Sequence, residues 1–288
     1  MRVVIVGGGI AAVHMANALL EKSPQDEVLI VSNESYKPYD RIHLCSVVDG
    51  SATVDDIALE LDERVRVELE QKIVSIDPAA KRIFSEHASY AYDKLIIATG
   101  SKPRELFDIS GIDNATTFRS AKDSFAIAEK VKGQNVLLVG TGPIGLELLD
   151  TLSSMSSPKS ITLMSRSKSL YSNDLTPTAV ELITKTFEQD ERVRVLFSDE
   201  IVDKTVEEGH ITKVQTKTVT IDNPFVIFGV GISPNIDFAR DTLECERGIV
   251  VDRQMQSSVS DIYAVGEAAQ MHAGYSTGHV KECTLQAG

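Results

Sequence analysis

Two stretches of this chain carry the same pattern of strand, glycine turn and helix, and that repetition limits what the polypeptide can become. The first, RVVIVGGGIAAVHMA at 2–16, has the apolar run Val3 to Val6, suited to a strand buried on both faces. Gly7, Gly9 and Ala12 follow at the first, third and sixth places of a G-x-G-x-x-G/A turn. The second, NVLLVGTGPIGLELLD at 135–150, has the run Val136 to Val139 and then Gly140, Gly142 and Gly145 in the same register. In such a turn the first residue permits the tight bend and the second lets the backbone approach a pyrophosphate. The third keeps the helix close to the strand, so that its free N–H groups and dipole face the phosphates. One copy alone is weak evidence, since it also reads as a glycine-rich turn without a ligand. Two copies are far harder to dismiss.

The strand after each turn should end in the group that reads the adenosine ribose. After the first turn, Val28 to Val31 leads to Asn33 and Glu34. Glu34 lies slightly far along, so either residue or both could pair with a ribose, and Glu34 also reads as a solvated loop charge. After the second turn, Ser160 to Met164 leads to Ser165-Arg166-Ser167-Lys168. A serine beside two cations in place of a carboxylate suits a 2′-phosphate and favours NADP over NAD. The alternative is that Arg166 and Lys168 are ordinary surface charges.

Between and beyond the turns, the segment YKPYDRIHLCSVV at 36–48 lacks clear periodicity, stays extended at Pro38 and can begin a short helix near Ile42. Its density of Tyr, Asp, Arg and His is that of a site more than a linker. Val65 to Ile76 reads as strand. In YDKLIIATG at 92–100 the buried run Leu95 to Ala98 ends at Thr99 and Gly100, where a small side chain and free backbone can touch a ligand. Val193 to Phe197, Ile211 to Thr220 and Phe225 to Val230 continue as strands, the last running into Gly229-Val230-Gly231 and Pro234. Gly248 to Asp252 and Ile262 to Val265 then lead into Gly266-Glu267, an acidic residue at the tip of a buried strand, and a last helix is expected near Val280.

Composition narrows the partners. A chain of 288 residues with 42 % hydrophobic and 25 % charged residues suits about two folded domains. Lys and Arg total 29 against 42 Asp and Glu, a net charge of −13, and the cations are scattered, which argues against nucleic acid or an anionic membrane as partner. No stretch is long enough to span a membrane or patterned as a signal peptide. Cys45, Cys245 and Cys283 form no C-x-x-C pair, and the histidines lack metal-ligand spacing, so no disulfide framework or metal site is expected. A reducing, cytoplasmic location is the natural setting for such a chain.

With two glycine turns, an ATG strand end and a late DIYAVGE segment in this order, the chain resembles the FAD-dependent pyridine nucleotide–disulfide oxidoreductase superfamily. Within it, YDRIHL and the Gly-Glu ending look most like the FAD/NAD(P)-binding part of the NAD(P)H nitrite reductase large subunit. Rubredoxin and ferredoxin reductases are similar. The resemblance implies an α/β fold of two Rossmann-like dinucleotide-binding domains, the second inserted in the first. FAD would be bound by 1–105 with 247–288, and NAD(P)H by 106–246, with a C-terminal interface domain absent. Gly7, Gly9 and Ala12 would hold the FAD pyrophosphate and Asn33 or Glu34 its ribose. Arg41 and Arg119 would contact FAD from the sides, Ile73 would meet the adenine through its backbone, and Thr99, Gly100 and Gly266 would line the cofactor. Glu267 would accept a hydrogen bond from the ribityl chain. Gly140, Gly142 and Gly145 would bind the NADPH pyrophosphate and Ser165, Arg166 and Lys168 its 2′-phosphate, with Glu147 and Gly231 near the nicotinamide.

The implied activity is hydride transfer from NAD(P)H to flavin and delivery of electrons to an external carrier or metal centre, as in a nitrite-reductase-like electron input module. Orientation does most of this work, and no side chain is assigned as acid or base. Relatives that reduce dithiols use paired cysteines, which this chain lacks. Single-cysteine relatives, the NADH oxidases, NADH peroxidases and coenzyme A disulfide reductases, keep a redox thiol where Ser46 aligns here. Cys45 stands beside that place and is the alternative catalytic residue, although burial as a small hydrophobe is the simpler role. Another alternative is a non-catalytic nucleotide-binding or assembly module. A protein electron acceptor is expected and a homodimer is compatible with the sequence.

Overall fold

A computed structural model describes residues 1–170 and 175–271. Cys283 and the helix expected near Val280 lie outside the described residues. The chain divides into two compact units. One comprises Met1–Asp40, Val54–Lys102 and the described chain from Ser233 onward, and the other Arg41–Thr53 and Pro103–Ile232.

In the first unit β1 (Arg2–Val6), α1 (Ile10–Lys22) and β2 (Glu27–Val31) form a crossover unit. The chain then runs through α2 (Leu44–Val48), which belongs to the second unit, and returns to β3 (Arg66–Glu68). An antiparallel sheet comes next, of β4 (Ile73–Asp77), β5 (Arg82–Ser85) and β6 (Ser89–Ala91), before β7 (Lys94–Ile97) and β8 (Ser101–Pro103). The main sheet is parallel, with β1 between β2 and β7, β3 beyond β2, and the late strand Ile262–Ala264 beyond β7. β1 is buried on both faces, as its unbroken apolar run requires. Val4 and Val6 join one apolar cluster with Leu95, Ile97 and Ile262, while Val3 and Ile5 join another with Ala12, Ala16 and Ile30.

The second unit repeats the plan. β9 (Ala115–Thr117) and α3 (Ala121–Lys130) precede β10 (Asn135–Val139), α4 (Pro143–Ser154), β11 (Ser160–Met164), α5 (Pro177–Phe187) and β12 (Val193–Leu196). A meander of β13 (Ile201–Glu207), β14 (His210–Thr216) and β15 (Thr220–Asp222) leads into β16 (Pro224–Phe228). The parallel sheet has the order β12, β11, β10, β16, β9. β17 (Ile232–Pro234), β18 (Ile249–Val251), β19 (the late strand Ile262–Ala264) and β20 (Ala269–Met271) are the last strands of the described residues.

Two sequence expectations need adjustment. Val65 to Ile76 is two strands, because Glu70 takes φ 57° and the bonds Glu70 N to Glu34 O and Gln71 N to Ser32 O turn the chain out of the sheet. Ile211 to Thr220 folds back at Thr216–Val219, where Thr216 N donates to Val219 O. Arg41–Thr53 packs with the second unit, since α2 packs on α3 and α4 and Ser124 Oγ donates to Leu44 O. Ser233–Glu246 lies with the first unit, whose core buries Ile236, Ala239 and Leu243.

Candidate functional site

The two glycine turns are built alike. Gly7 has φ +118° and Gly140 φ +119°, a region in which L side chains are strained. A Cβ on either would lie 2.2 Å from a carbonyl oxygen at the end of the neighbouring strand, that of Ala98 or of Gly229. Gly7 N donates to Val31 O at 2.9 Å and Gly140 N to Met164 O at 2.8 Å, so each turn is tied to the strand that comes after its helix. Gly9 and Gly142 are the extended N-cap residues of α1 and α4, and neither helix has a side-chain cap bond. The first-turn N–H groups are therefore left to a ligand or solvent, and the cradle suits a pyrophosphate. The third places differ. Ala12 is fully buried with its methyl accommodated, whereas a methyl at Gly145 would stand 2.0 Å from Gly140 O.

Around the first turn, several sequence-selected residues converge. Ser32 N to Glu68 O and Gln71 N to Ser32 O, both 2.8 Å, draw the segment leading to Ile73 against the end of β2. Glu34 is half-buried and accepts a hydrogen bond from the hydroxyl of buried Tyr39, while its N–H donates to Ser32 Oγ at 3.3 Å. Asn33 is exposed. At the end of β7, Thr99 Oγ1 donates to Asn235 O at 2.7 Å and Asn235 N to Gly100 O at 2.9 Å. Buried Ser101 donates to Glu267 Oε2 at 2.7 Å, and Gly266 turns the chain at φ 68° just before it. The ends of β1, β7 and β19 thus gather Gly7, Thr99, Gly100, Gly266 and Glu267 at one edge of the parallel sheet, where nucleotide ligands bind in open α/β sheets.

Around the second turn, the end of β11 has a different chemistry. Ser165 is buried, and its Oγ accepts from Thr141 Oγ1 at 2.9 Å and from Ser167 N at 3.0 Å. Arg166 and Lys168 alternate with it and are exposed. The tail is held from the other side by Ser165 N to Leu196 O, Ser198 N to Ser167 O and Asp199 N to Ser165 O. Asp199 is itself 1 % exposed. Burial opposes its charge, but the Thr218 and Thr216 hydroxyls and the N–H groups of Glu200 and Lys217 outweigh this and hold its carboxyl below the usual range. Gly231, at φ 97°, accepts from Arg104 N at 2.9 Å.

Within the same unit a small pocket of about 50 Å³ is lined by Arg41, Leu44, Cys45, Arg119, Ile144 and Glu147, among others. It brings together residues to which the resemblance gives FAD, redox and nicotinamide roles. Partial desolvation raises the Glu147 carboxyl. Burial raises the Cys45 thiol, and the Glu147, Asp49 and Asp150 carboxylates add to that against a hydrogen bond with Thr151. Such a thiol stays protonated and is a poor nucleophile. Ser46 Oγ donates to His43 O at 2.6 Å. Among the described residues no cluster of three metal-ligating side chains occurs, and no helix is long and apolar enough to cross a membrane.

Tyr39, Ser101, Thr141 and Asp199 were not singled out by sequence. Tyr39 lies inside the dense YDR segment and could have been found there. Asp199 comes after a strand as dozens of solvated acids do, and nothing local marks it as buried.

The chain is similar in sequence and fold to known proteins. The family model described as "Pyridine nucleotide-disulphide oxidoreductase" matches residues 1–284. Rubredoxin-NAD(+) reductase of Pseudomonas putida is 29 % identical over 280 residues, 93 % of this chain and 72 % of that protein. Nitrite reductase [NAD(P)H] of Bacillus subtilis is 28 % identical over 299 residues, 99 % of this chain but 36 % of that protein. Among solved structures, the covalent putidaredoxin reductase–putidaredoxin complex contains a similar chain, with a TM-score of 0.89 at 22 % identity, covering 99 % of this chain and 73 % of that one.

Proposed function

Because the chain belongs to the pyridine nucleotide-disulphide oxidoreductase family and is an FAD-dependent NAD(P)H oxidoreductase, we propose that it prefers NADPH and passes electrons to a separate redox protein or metal centre. The observation that carries this reading is the contrast at the two strand ends: a carboxylate, Glu34, beside the first turn and two cations, Arg166 and Lys168, beside the second. A carboxylate accepts from ribose hydroxyls, whereas cations compensate a phosphate.

In this reading Gly7, Gly9 and the N-terminus of α1 hold the FAD pyrophosphate, and Ala12 sets the helix distance. Tyr39 orients Glu34 toward the adenosine ribose, and the chain near Ile73 covers the adenine. Ser101 fixes Glu267 as an acceptor for the ribityl hydroxyls, while Thr99, Gly100 and Gly266 bring backbone up to the cofactor. Gly140, Gly142 and Gly145 serve NADPH in the same way, with Ser165, Arg166 and Lys168 at its 2′-phosphate and Gly231 and Glu147 toward the nicotinamide. Arg41 and Arg119 place positive charge at the pocket that also holds Cys45. Bound FAD would supply the ring that accepts hydride and releases electrons to the acceptor. The residues supply binding and orientation, and none need exchange a proton in the hydride step.

The protonated Cys45 and the absence of a C-x-x-C pair favour a one-electron carrier, a rubredoxin or ferredoxin type of protein, or a nitrite-reductase-like partner over a disulfide substrate. These acceptors and the cysteine pattern go with a cytoplasmic setting. The test is anaerobic rapid mixing of the FAD-loaded protein with NADPH or NADH, followed by addition of a rubredoxin, a ferredoxin or coenzyme A disulfide. Faster flavin bleaching by NADPH and reoxidation by an iron–sulfur or rubredoxin carrier are expected. Equal or better efficiency with NADH overturns the cofactor preference, and reoxidation by the disulfide alone overturns the acceptor.

A further inference from the structure

The tail that carries Arg166 and Lys168 does not stand alone. Backbone bonds from Ser198 N to Ser167 O, 2.9 Å, and from Asp199 N to Ser165 O, 3.0 Å, run it alongside the chain that leaves β12, and the residue after Asp199 is Glu200. Buried Asp199 fixes the chain on both sides of that contact. Its Oδ1 accepts from Glu200 N at 2.7 Å and from Lys217 N at 2.8 Å, and Lys217 N also donates to Glu200 O at 3.2 Å. The turn between β14 and β15 is thereby pinned beside the tail, and Lys217 Nζ closes on Glu200 Oε1 at 2.8 Å. Both side chains of this pair are partly open to solvent, at 39 % for Glu200 and 52 % for Lys217.

Lys217, and behind it Arg166, hold the Glu200 carboxyl below its ordinary range, so at neutral pH it is a fixed negative charge within the electrostatic reach of Arg166. A phosphate held by Arg166 would lie within reach of the Glu200 charge and be repelled by it, whereas a ribose hydroxyl carries no charge and would feel it far less. Lys217 offsets part of the repulsion.

We propose that Glu200 is a specificity-determining residue for the dinucleotide: its carboxylate, placed beside the Arg166 tail, repels a 2′-phosphate there, and Lys217 limits that repulsion. This rests on the reading of Ser165–Lys168 as the 2′-phosphate contact. Glu200 moderates a preference that Arg166 and Lys168 create, and the charges of Arg166, Glu200 and Lys217 form one adjustable set joined through Asp199.

The test is titration calorimetry at low salt on the full-length protein, with 2′,5′-ADP and 5′-ADP as probes, on wild type, Glu200→Gln, Lys217→Met and Arg166→Ala, each checked for an unchanged thermal transition. Glu200→Gln should bind 2′,5′-ADP about three- to tenfold more tightly, an effect of exposed charges that shrinks as salt is added, and should leave 5′-ADP unchanged. Lys217→Met should weaken 2′,5′-ADP binding by about threefold, and much less when Glu200→Gln is also present. If wild type prefers 2′,5′-ADP but Glu200→Gln binds it no better, the proposal is overturned while the phosphate reading stands. If wild type and Arg166→Ala both bind the two nucleotides alike, the phosphate reading itself is overturned, and the role of Glu200 with it.

Discussion

At β1–α1 and at β10–α4 the backbone meets the same obstacle, a carbonyl of the neighbouring strand that leaves no room for a side chain, and both solve it with glycine at a positive φ. Beyond each turn the two units diverge. In the first unit the third turn position holds a buried methyl, and the next strand ends in a carboxylate held by a tyrosine. In the second that position must be bare, and the next strand ends in a buried serine flanked by exposed cations. The comparison separates two kinds of constraint. Close packing at the turn comes from bringing a strand and a helix together, and it repeats. The charge at the strand end does not enter that packing, and it is free to diverge; in the proposed reading it follows the nucleotide each end would meet.

The shared part of the comparison breaks most severely. Gly7→Ala and Gly140→Ala should each cost about 3 kcal/mol or more, combining strain at positive φ with overlap on a carbonyl, read as a lower denaturation midpoint. Gly145→Ala should behave similarly, while the equivalent Ala12→Gly should cost only about 1 kcal/mol, the helix-propensity penalty. A tolerated Gly145→Ala would mean that α4 can move away from its strand.

The divergent part is probed next. Replacing Arg166 and Lys168 together by Ala should raise KM for NADPH by about ten- to a hundredfold and leave NADH nearly unaffected, as expected for losing charge-assisted contacts. Equal losses for both nucleotides would assign the cations to the pyrophosphate instead. Tyr39→Phe should weaken FAD retention by about fivefold, the worth of one hydrogen bond to a charged group that is partly solvated, measured by equilibrium loss of flavin on dilution. No change would leave Glu34 as a surface charge.

The smallest effect is expected at Cys45. Its raised pKa keeps the thiol protonated at neutral pH, with thiolate appearing only above the ordinary thiol range. Alkylation by iodoacetamide should therefore be slow at pH 8 and accelerate as pH rises, and Cys45→Ser should change turnover by less than about twofold. Rapid modification at pH 7 with loss of activity would move the protein toward the single-cysteine oxidases and peroxidases.

The crossover units were legible because their signals are local. The apolar runs at 3–6 and 136–139, the spacing of the glycines, and the charges at 34 and 166–168 all sit within a few residues of the element they define, and periodicity and steric need reveal them. Tertiary structure alone decided the rest. It assigned Arg41–Thr53 to the second unit, placed Arg41, Cys45, Arg119 and Glu147 around one pocket, and buried Asp199 among the Thr216 and Thr218 hydroxyls. The physical reason is sequence separation. A carboxylate becomes a structural post, or a helix changes unit, through partners 17 or more residues away, whose desolvation and hydrogen bonding exist once the chain has folded and leave no mark in the residues beside it.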